Sequence, residues 1–499
     1  VVVAAVLVAA IYLIGANVIL NTGVLDPVIN NKPEKLLVEW ESGYTLLPGV
    51  VHIEGFRVRG QSKSVQWQCR LRSGDFRLSL LPLIRKRVRI HSGDGRDFEF
   101  WAARRLAEDG SDAGMKPHLP VIEGLHNPPD PRPEDLYPPR ERRRRNPWRI
   151  DAGGIVLAGA VDIWLGRLRM AGSGEVGGHV DFTVGGDLEL PEILFDLDGA
   201  QVGFRSQGLA QDVHLDVTGS MSRVNLRETR GSEIFRHLTA DIALSEGYVP
   251  SLAALGAFLP AKGLMSDLEG SGTLALRLSA DAASGDTTGE VEMIFDETRA
   301  KVGDRRLIGD VAIRATLDEG DLAAGRFGLD EARFDVTEVR GLSLEGEVDF
   351  DTQPWWGEVT LADGIVDIGE PTRINATLGL RMRDTKPLIR VLAGKANDEG
   401  EVKLPFALRL VPNVKDVEGS ARLDMGEEHI RLRDVAIDGD GLRLEAELEV
   451  ANPPTALAYI RLKGVPAAIR LQDGKRNIRV IRPRRWYERQ LEEMLIASR

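Results

Sequence analysis

A single cysteine, Cys69, leaves this 499-residue chain no intramolecular disulfide. Its fold must rest on packing, and cysteine usage leaves the redox compartment open. Positive charge is in short supply too. With 64 basic against 76 acidic residues the net charge is -12, which argues against nucleic acid as the main partner, because phosphate binding needs a basic footprint. The eight histidines (52, 91, 118, 126, 179, 214, 237 and 429) are scattered, with no pair at metal-ligand spacing. Asp438-Gly439-Asp440-Gly441 opens like a calcium loop, but Leu442, Arg443 and Leu444 follow where oxygen ligands are needed, so it reads as a hairpin turn. Gly172-Ser173-Gly174 and Gly270-Ser271-Gly272 lack the spacing of a nucleophile elbow, and no phosphate-cradling glycine loop is present. Cys69 lies in an alternating stretch and reads as packed rather than reactive. Without a converging acid–base, nucleophilic or metal constellation, the expectation is a protein that is not an enzyme and uses no cofactor or metal.

Long apolar runs are nearly absent. The one present, Val1 to Leu20, contains no charged residue and is long enough to cross a bilayer as a helix. A cleavable signal peptide would have a shorter apolar core followed by a small-x-small site, which Asn17-Val18-Ile19-Leu20-Asn21 does not supply. The run therefore predicts an uncleaved transmembrane anchor over 1–20, with the rest of the chain soluble or surface-facing.

What the sequence does have is alternation. In Gly341 to Phe350, Leu342, Leu344, Val348 and Phe350 fall on one side of an extended strand and Ser343, Glu345, Glu347 and Asp349 on the other. The same grammar fills 21–104, an N-terminal antiparallel meander, and 150–480, an extended repetitive region. Between them, 105–149 carries nine of the 25 prolines and the run Arg142, Arg143, Arg144 and Arg145, and reads as an exposed loop or linker. Those arginines are either a solvated charge run or headgroup contacts for anionic lipid. Helical composition appears at Glu233 to Leu244, Pro250 to Phe258, Pro387 to Gly394, and in a C-terminal amphipathic helix within 481–499, with Tyr487, Leu491, Met494 and Leu495 on one side. No fixed period with recurring identities is present, which argues against a propeller or leucine-rich array.

The apolar faces of these strands must meet something. The residues expected to line that surface are Val213, Leu215 and Val217; Leu274, Leu276 and Leu278; Val291, Met293 and Phe295; Leu342, Leu344, Val348 and Phe350; Val402, Leu404, Phe406, Leu408 and Leu410; and Leu442, Leu444, Leu448 and Val450. Tandem β-sandwiches would seal these faces against each other, and a parallel β-helix would bury them inward in short regular coils. A single long antiparallel sheet, curled across its width, would instead leave an apolar trough. At about 4.8 Å per strand, roughly twenty to twenty-five strands would make that trough on the order of 100 Å long. Pattern alone ranks sandwich and trough equally.

A resemblance separates them. The apolar N-terminus, then Trp40-Glu41-Ser42-Gly43-Tyr44-Thr45-Leu46-Leu47-Pro48-Gly49 and Ile53-Glu54-Gly55-Phe56-Arg57-Val58-Arg59-Gly60, is similar to the opening of the AsmA-like family of bacterial envelope proteins, with its TamB-type and YhdP-type relatives. Leu252 to Pro260 leading into Leu268-Glu269-Gly270-Ser271-Gly272-Thr273-Leu274, and Val435 to Glu449, resemble the family's repeating strands. The resemblance implies a mainly β, taco-like groove anchored in the inner membrane of a Gram-negative bacterium. That groove would lie in the periplasm and carry phospholipid towards the outer membrane, with outer-membrane or other envelope proteins as further partners. The chain departs from the family in its insert at 105–149. The rival reading is an envelope scaffold or assembly factor of tandem β-domains, aiding outer-membrane protein biogenesis by binding client strands at its edges.

Overall fold

The computed structural model describes the chain apart from 107–112, 124–146, 256–265, 343–353 and 386–413, the shorter stretches 62–64, 368–372, 427–429 and 451–454, and one or two residues at several turns and both termini. Its 22 strands belong to one hydrogen-bonded sheet, with few helices beside them. The mainly β expectation holds. The chain divides into two compact units, 1–248 with 277–285, and 249–276 with 286–499.

The first unit opens with α1 (Val2–Asn21) and α2 (Asp26–Ile29), followed by β1 (Leu36–Glu39), β2 (Ser42–Leu47), β3 (Val50–Gln61) and β4 (Val65–Ser79). A 3₁₀ turn, η1 (Leu81–Arg85), leads into β5 (Arg87–Arg104), and a second, η2 (Ala113–His118), lies in the segment before β6 (Arg149–Leu165). Then come β7 (Leu168–Thr183), β8 (Asp187–Phe204), β9 (Gln207–Asn225), η3 (Gly231–His237) and β10 (Leu238–Val249). The helix expected over Glu233 to Leu244 is a short 3₁₀ turn and then a strand. Thr239, Asp241, Ala243 and Ser245 alternate there with Ala240, Ile242 and Leu244, and the ladder with β9 outweighs weak helical propensity.

Among the described ladders, one junction breaks the antiparallel rule. β5 and β6 run parallel, Arg87 beside Arg149 and Phe100 beside Ile163, so the fold is not antiparallel throughout as expected. Parallel neighbours need a crossover that returns the chain along the full strand. For the 18 residues of β5 that is on the order of 60 Å, and the 105–148 segment is long enough to supply it. Part of this segment is not an exposed linker: Leu106, Leu119 and Ile122 are buried, and the first two pack with Ala103. The run Arg142 to Arg145 lies outside the described residues.

The first edge of the sheet is sealed by side chains. β1 and β2 lie end to end along β3, so both present an outward row of backbone groups. Asn30 Nδ2 donates to Val38 O at 2.9 Å, and Asn30 Oδ1 accepts from Val38 N at 2.8 Å. Asn17 treats Thr45 the same way (3.0 and 2.9 Å), and Asn21 does so for Gly43 (2.6 and 3.3 Å). Four residues of helix rise about 6 Å, close to two residues of strand. Asparagines at i and i+4 therefore match strand positions i and i+2.

Curvature comes from bulges. Ladder register slips at Arg96/Phe98, Phe295/Thr298, Val336/Val339, Ala362/Ile365 and Leu432/Val435. At each slip an acidic residue takes the left-handed conformation: Asp97, Glu297, Glu338, Asp363 and Asp434. A bulge bends the strand and raises its twist. At three of them a carboxylate accepts a backbone N–H at or opposite the bulge. Asp97 Oδ1 accepts from Ala160 N at 3.0 Å, Asp310 Oδ1 from Glu297 N at 2.9 Å and Glu447 Oε1 from Asp434 N at 2.9 Å. The Ala160 N–H, then Arg72, hold the Asp97 carboxyl below its ordinary range. A depressed carboxylate stabilises the fold above its unfolded pKa and loses that contribution as pH falls through the folded one. The thermal midpoint of the wild type should therefore drop further between about pH 5 and pH 3 than that of Asp97→Asn, whose side chain tolerates the same backbone.

Close cross-strand packing also needs small residues. A Cβ on Gly93 would meet the Phe76 ring at 2.6 Å and Ile155 Cδ1 at 2.9 Å. We expect Gly93→Ala to lower stability by about 1–3 kcal/mol through overpacking, measured by chemical denaturation.

The second unit begins with α3 (Leu252–Leu255) and β11 (Ser266–Asp281), whose last residues count with the first unit. It continues with β12 (Asp286–Val302), β13 (Arg305–Asp321), β14 (Arg326–Leu342), β15 (Trp355–Asp367), β16 (Arg373–Asp384), β17 (Lys415–Met425) and β18 (Ile430–Gly439). β19 (Leu442–Val450), β20 (Thr455–Leu462), β21 (Val465–Gln472) and β22 (Lys475–Arg479) complete it. The ladders from β12 to β22 are antiparallel, and strand length tapers from 17 residues in β12 to 5 in β22. Of the helix expected at Pro250 to Phe258, the described part is α3; the one at Pro387 to Gly394 lies outside the described residues. The C-terminal helix, α4 (Pro483–Ala497), buries Tyr487 with Leu457 and Ala468, flanked by Trp486, Leu491 and Met494.

Candidate functional site

The registers place residues on faces without ambiguity. In the second unit, Met293, Ile313, Phe334, Val359, Leu380, Gly419, Ile437, Leu444, Ile460 and Ala467 are successive cross-strand partners from β12 to β21. Nine are apolar side chains and the tenth is glycine, and every one is half-buried. The row beside it on the same face, Phe295, Val311, Val336, Gly357, Met382 and Val417, is more deeply covered, with Phe295 fully buried. At a strand spacing near 4.8 Å the ten-strand row is on the order of 40 Å long. Hydrophobic residues on two strands would make a patch; on ten they make a track.

The opposite face of the same strands is charged. Arg314 sits 2.7 Å from Glu292, Arg333 2.8 Å from Glu358 and Arg422 3.2 Å from Asp434. Exposed pairs of this kind add little stability, and they mark which face is wet. At the tapered end that face changes character. Leu457 and Tyr459 share it with Glu445 and Glu447, and α4 covers it there, with Arg484 paired to Glu445. The helix therefore lies on the outer face and leaves the row through Leu444 and Ile460 uncovered by itself.

The first unit has its own row. Val58, Cys69, Phe100, Ile163, Met170, Val202 and Ala210 are successive partners from β3 to β9. Cys69 is thus part of the apolar face, and burial first, then the charge of Glu99, pushes its thiol up to about 12. That is the chemistry of a packing residue.

Among the expected lining residues, Val213, Leu215, Phe295 and Leu442 are buried. Val217, Leu274, Leu276, Leu278, Val291, Met293, Leu444 and Leu448 are half-buried. Leu215 and Val217 pair with Leu197 and Phe195 on one side and with Leu244 and Ile242 on the other, so their shared face is apolar across β8 to β10. Leu344, Val348, Phe350, Val402, Leu404, Phe406, Leu408 and Leu410 lie outside the described residues, as do the side chains of Leu342 and Val450. Sequence reading named Ile313 only as part of an alternating stretch and missed Phe334, Val359, Leu380, Ile437 and Ile460, although each sits in an alternating stretch; the register, which brings them into one line, comes only from the ladders.

Metal-type ligands converge at one place among the described residues: Asp196, Asp198 and His214, on neighbouring strands. His214 Nδ1 lies 2.7 Å from Asp198 Oδ1, and that hydrogen bond raises the imidazole pKa. The two carboxylates are exposed, and the group reads as a surface ion pair. The N-terminal run is helical over Val2–Asn21; among the described residues, which exclude the side chains of 2–11, no helix is long and apolar enough to cross a membrane. No family model, curated protein or solved structure matches the chain.

Proposed function

We propose that this chain carries lipid acyl chains along the apolar face of its sheet. The observation that carries the reading is the half-buried row from Met293 to Ala467, one apolar residue or glycine per strand over ten strands. Its length, on the order of 40 Å, exceeds the hydrocarbon depth of one leaflet, about 15 Å, so two chains fit end to end. Burial is worth about 25 cal/mol per Å² of apolar surface, and a uniform row holds a lipid without fixing where it stops. Headgroups remain in water and no residue does chemistry.

The resemblance to AsmA-like proteins, which rests on sequence patterns, extends this reading. It makes α1 an inner-membrane anchor, places the sheet in the periplasm, and directs phospholipid between the inner and outer membranes. A scaffold of sealed tandem β-domains is the weaker reading, because sealing would bury the Met293 row rather than leave it half-exposed.

The test uses the full chain with a photoreactive benzophenone side chain at Met293, and a second form with it at Arg314 on the charged face. Irradiation in cell membranes, followed by mass spectrometry, should show phospholipid adducts at 293 and few or none at 314. Equal labelling at the two positions, or none at 293, would overturn the proposal.

A further inference from the structure

One rim of the first unit joins exposed aliphatic side chains to cations that have no ion-pair partner among the described residues. The turn after β2 and the connection after β4 meet there, Leu78 N donating to Gly49 O at 2.7 Å. At this rim Leu81 is 81% and Ile84 83% exposed, both in the 3₁₀ turn η1. Arg85, Lys86 and Arg87 follow, all exposed and in no ion pair among the described residues. Arg149 stands beside Arg87 in the parallel ladder, and it is already neutralised by Asp181. Leu81, Ile84, Arg85, Arg87 and Arg149, with neighbouring side chains, line an open hollow of about 680 Å³, and Lys86 is exposed beside it. Asp151, the acidic group in its lining, is held by Arg89 at 3.0 Å and His179 at 3.1 Å. The net charge left over is positive.

Two further facts orient this rim. Asn21 of α1 sits at Gly43 and Asn17 at Thr45, so the helix, followed back towards Val2, heads in the direction of β2 from Gly43 to Leu47. About 22 Å of helix lies beyond Asn17, whereas β2 extends only two residues past Thr45. The helix axis therefore passes the rim and continues beyond it. The other fact is Lys86 itself, which holds φ 58° and ψ 38° as the C-cap of η1. Glycine takes that conformation at no steric cost, yet the position carries a cation.

We propose that this rim docks on an anionic phospholipid bilayer, with Leu81 and Ile84 entering the interface and Arg85, Lys86 and Arg87 meeting the headgroups. The pairing is that of interfacial amphipathic segments, apolar burial supplemented by attraction to anionic lipid. The inference deepens the lipid-carrying reading, since it puts one end of the first unit's sheet against a lipid source, but it stands on its own residues.

The test attaches an environment-sensitive fluorophore to Leu81→Cys in the full chain, held in nanodiscs. Cys69, half-buried in β4, is replaced by serine in this background, so the label sits only at the introduced cysteine. A second label at Gln207→Cys, in the hairpin at the far end of β8 and β9, is the control. Discs containing phosphatidylglycerol should blue-shift the label at 81 and leave the one at 207 unchanged, while pure phosphatidylcholine discs should give a weaker response at 81. Each of Arg85→Gln, Lys86→Gly and Arg87→Gln should lower the docked-to-undocked ratio about fivefold. Lys86→Gly is the decisive variant, because it relieves the backbone and should keep or raise the thermal midpoint while weakening docking.

A label at 81 that ignores lipid charge overturns the proposal, as does a blue-shift in detergent that grows with protein concentration, which would assign the surface to a second copy of the chain. Loss of docking with lipid capture at Met293 intact would sink the rim alone. Docking without capture at Met293 would sink the lipid track alone.

Discussion

Replacing Met293 by aspartate should reduce phospholipid transfer between donor and acceptor vesicles by about 100-fold while leaving the fold in place. Met293 begins the ten-strand row and faces Ile313 across the β12–β13 ladder. An acyl chain passing it would have to lie against a carboxylate. Placing Asp in hydrocarbon costs about 2.5–3.5 kcal/mol on insertion scales, and 2.7 kcal/mol is a factor of about 100 in occupancy. Aspartate suits the test better than arginine, whose long stem would let the charge snorkel to the rim of the row. The side chain is half-buried, so the folded state keeps water within reach of the charge, and thermal unfolding should shift little. Met293→Leu should transfer like the wild type. Arg314→Gln, one residue further along β13 than Ile313 and on the charged face, removes a pair with Glu292 and should also leave transfer unchanged. If Met293→Asp and Arg314→Gln transfer equally well, the row is not the path.

How far the sequence spoke depended on the range of the interaction. Alternation is local, so the mainly β class and the existence of most strands were legible in stretches such as Leu442 to Val450, where leucines oppose arginine and glutamates. The identity of the apolar face at Val213, Leu215 and Val217 was legible for the same reason. Register is not local. That Val359 meets Leu380, which meets Gly419, depends on turns and bulges that shift a strand by one residue and invert its faces. The bulges do leave a trace: an acidic residue or glycine interrupts alternation at Asp97, Glu297, Asp363-Gly364 and Asp434. Because the interruption recurs at a structural position rather than a fixed spacing, a search for literal repeats passes over it.

The parallel β5–β6 junction was illegible for a different reason. A proline-rich stretch says only that no ladder continues through it; it does not say in which direction the next strand returns. The composition of 105–149 predicts a separator between two β regions, whereas its ends serve adjacent strands of one ladder. Gln66 and Gln68 carry the same lesson. They occupy the polar phase of β4 and are nonetheless fully buried, so polarity alone did not identify a solvated face.

Asparagine 17 and 21 counted in sequence only as a poor cleavage site, and the structure gives them a mechanical task that a double substitution to leucine would remove. Each amide makes three hydrogen bonds. Its Nδ2 donates to the helix carbonyl four residues back and to a strand carbonyl, and its Oδ1 accepts from the strand N–H. Leucine keeps the helix apolar and helix-forming, so α1 itself should persist. What is lost is the cap on the outer edge of β2, four hydrogen bonds at about 1 kcal/mol net each. Amide exchange at Gly43 and Thr45 should accelerate by up to about 1,000-fold, since 1.4 kcal/mol is a factor of ten. Exchange on the inner strands β6 and β7 should not change, because the edge opens locally. An uncovered strand edge is also a template for pairing with another chain, so the variant should associate in a concentration-dependent way. The hydrogen bond from Trp40 Nε1 to Leu20 O, 2.7 Å, survives both substitutions and sets a limit on how far the helix can separate. Unchanged exchange at both residues would mean that the ladder with β3, rather than the asparagines, holds this edge.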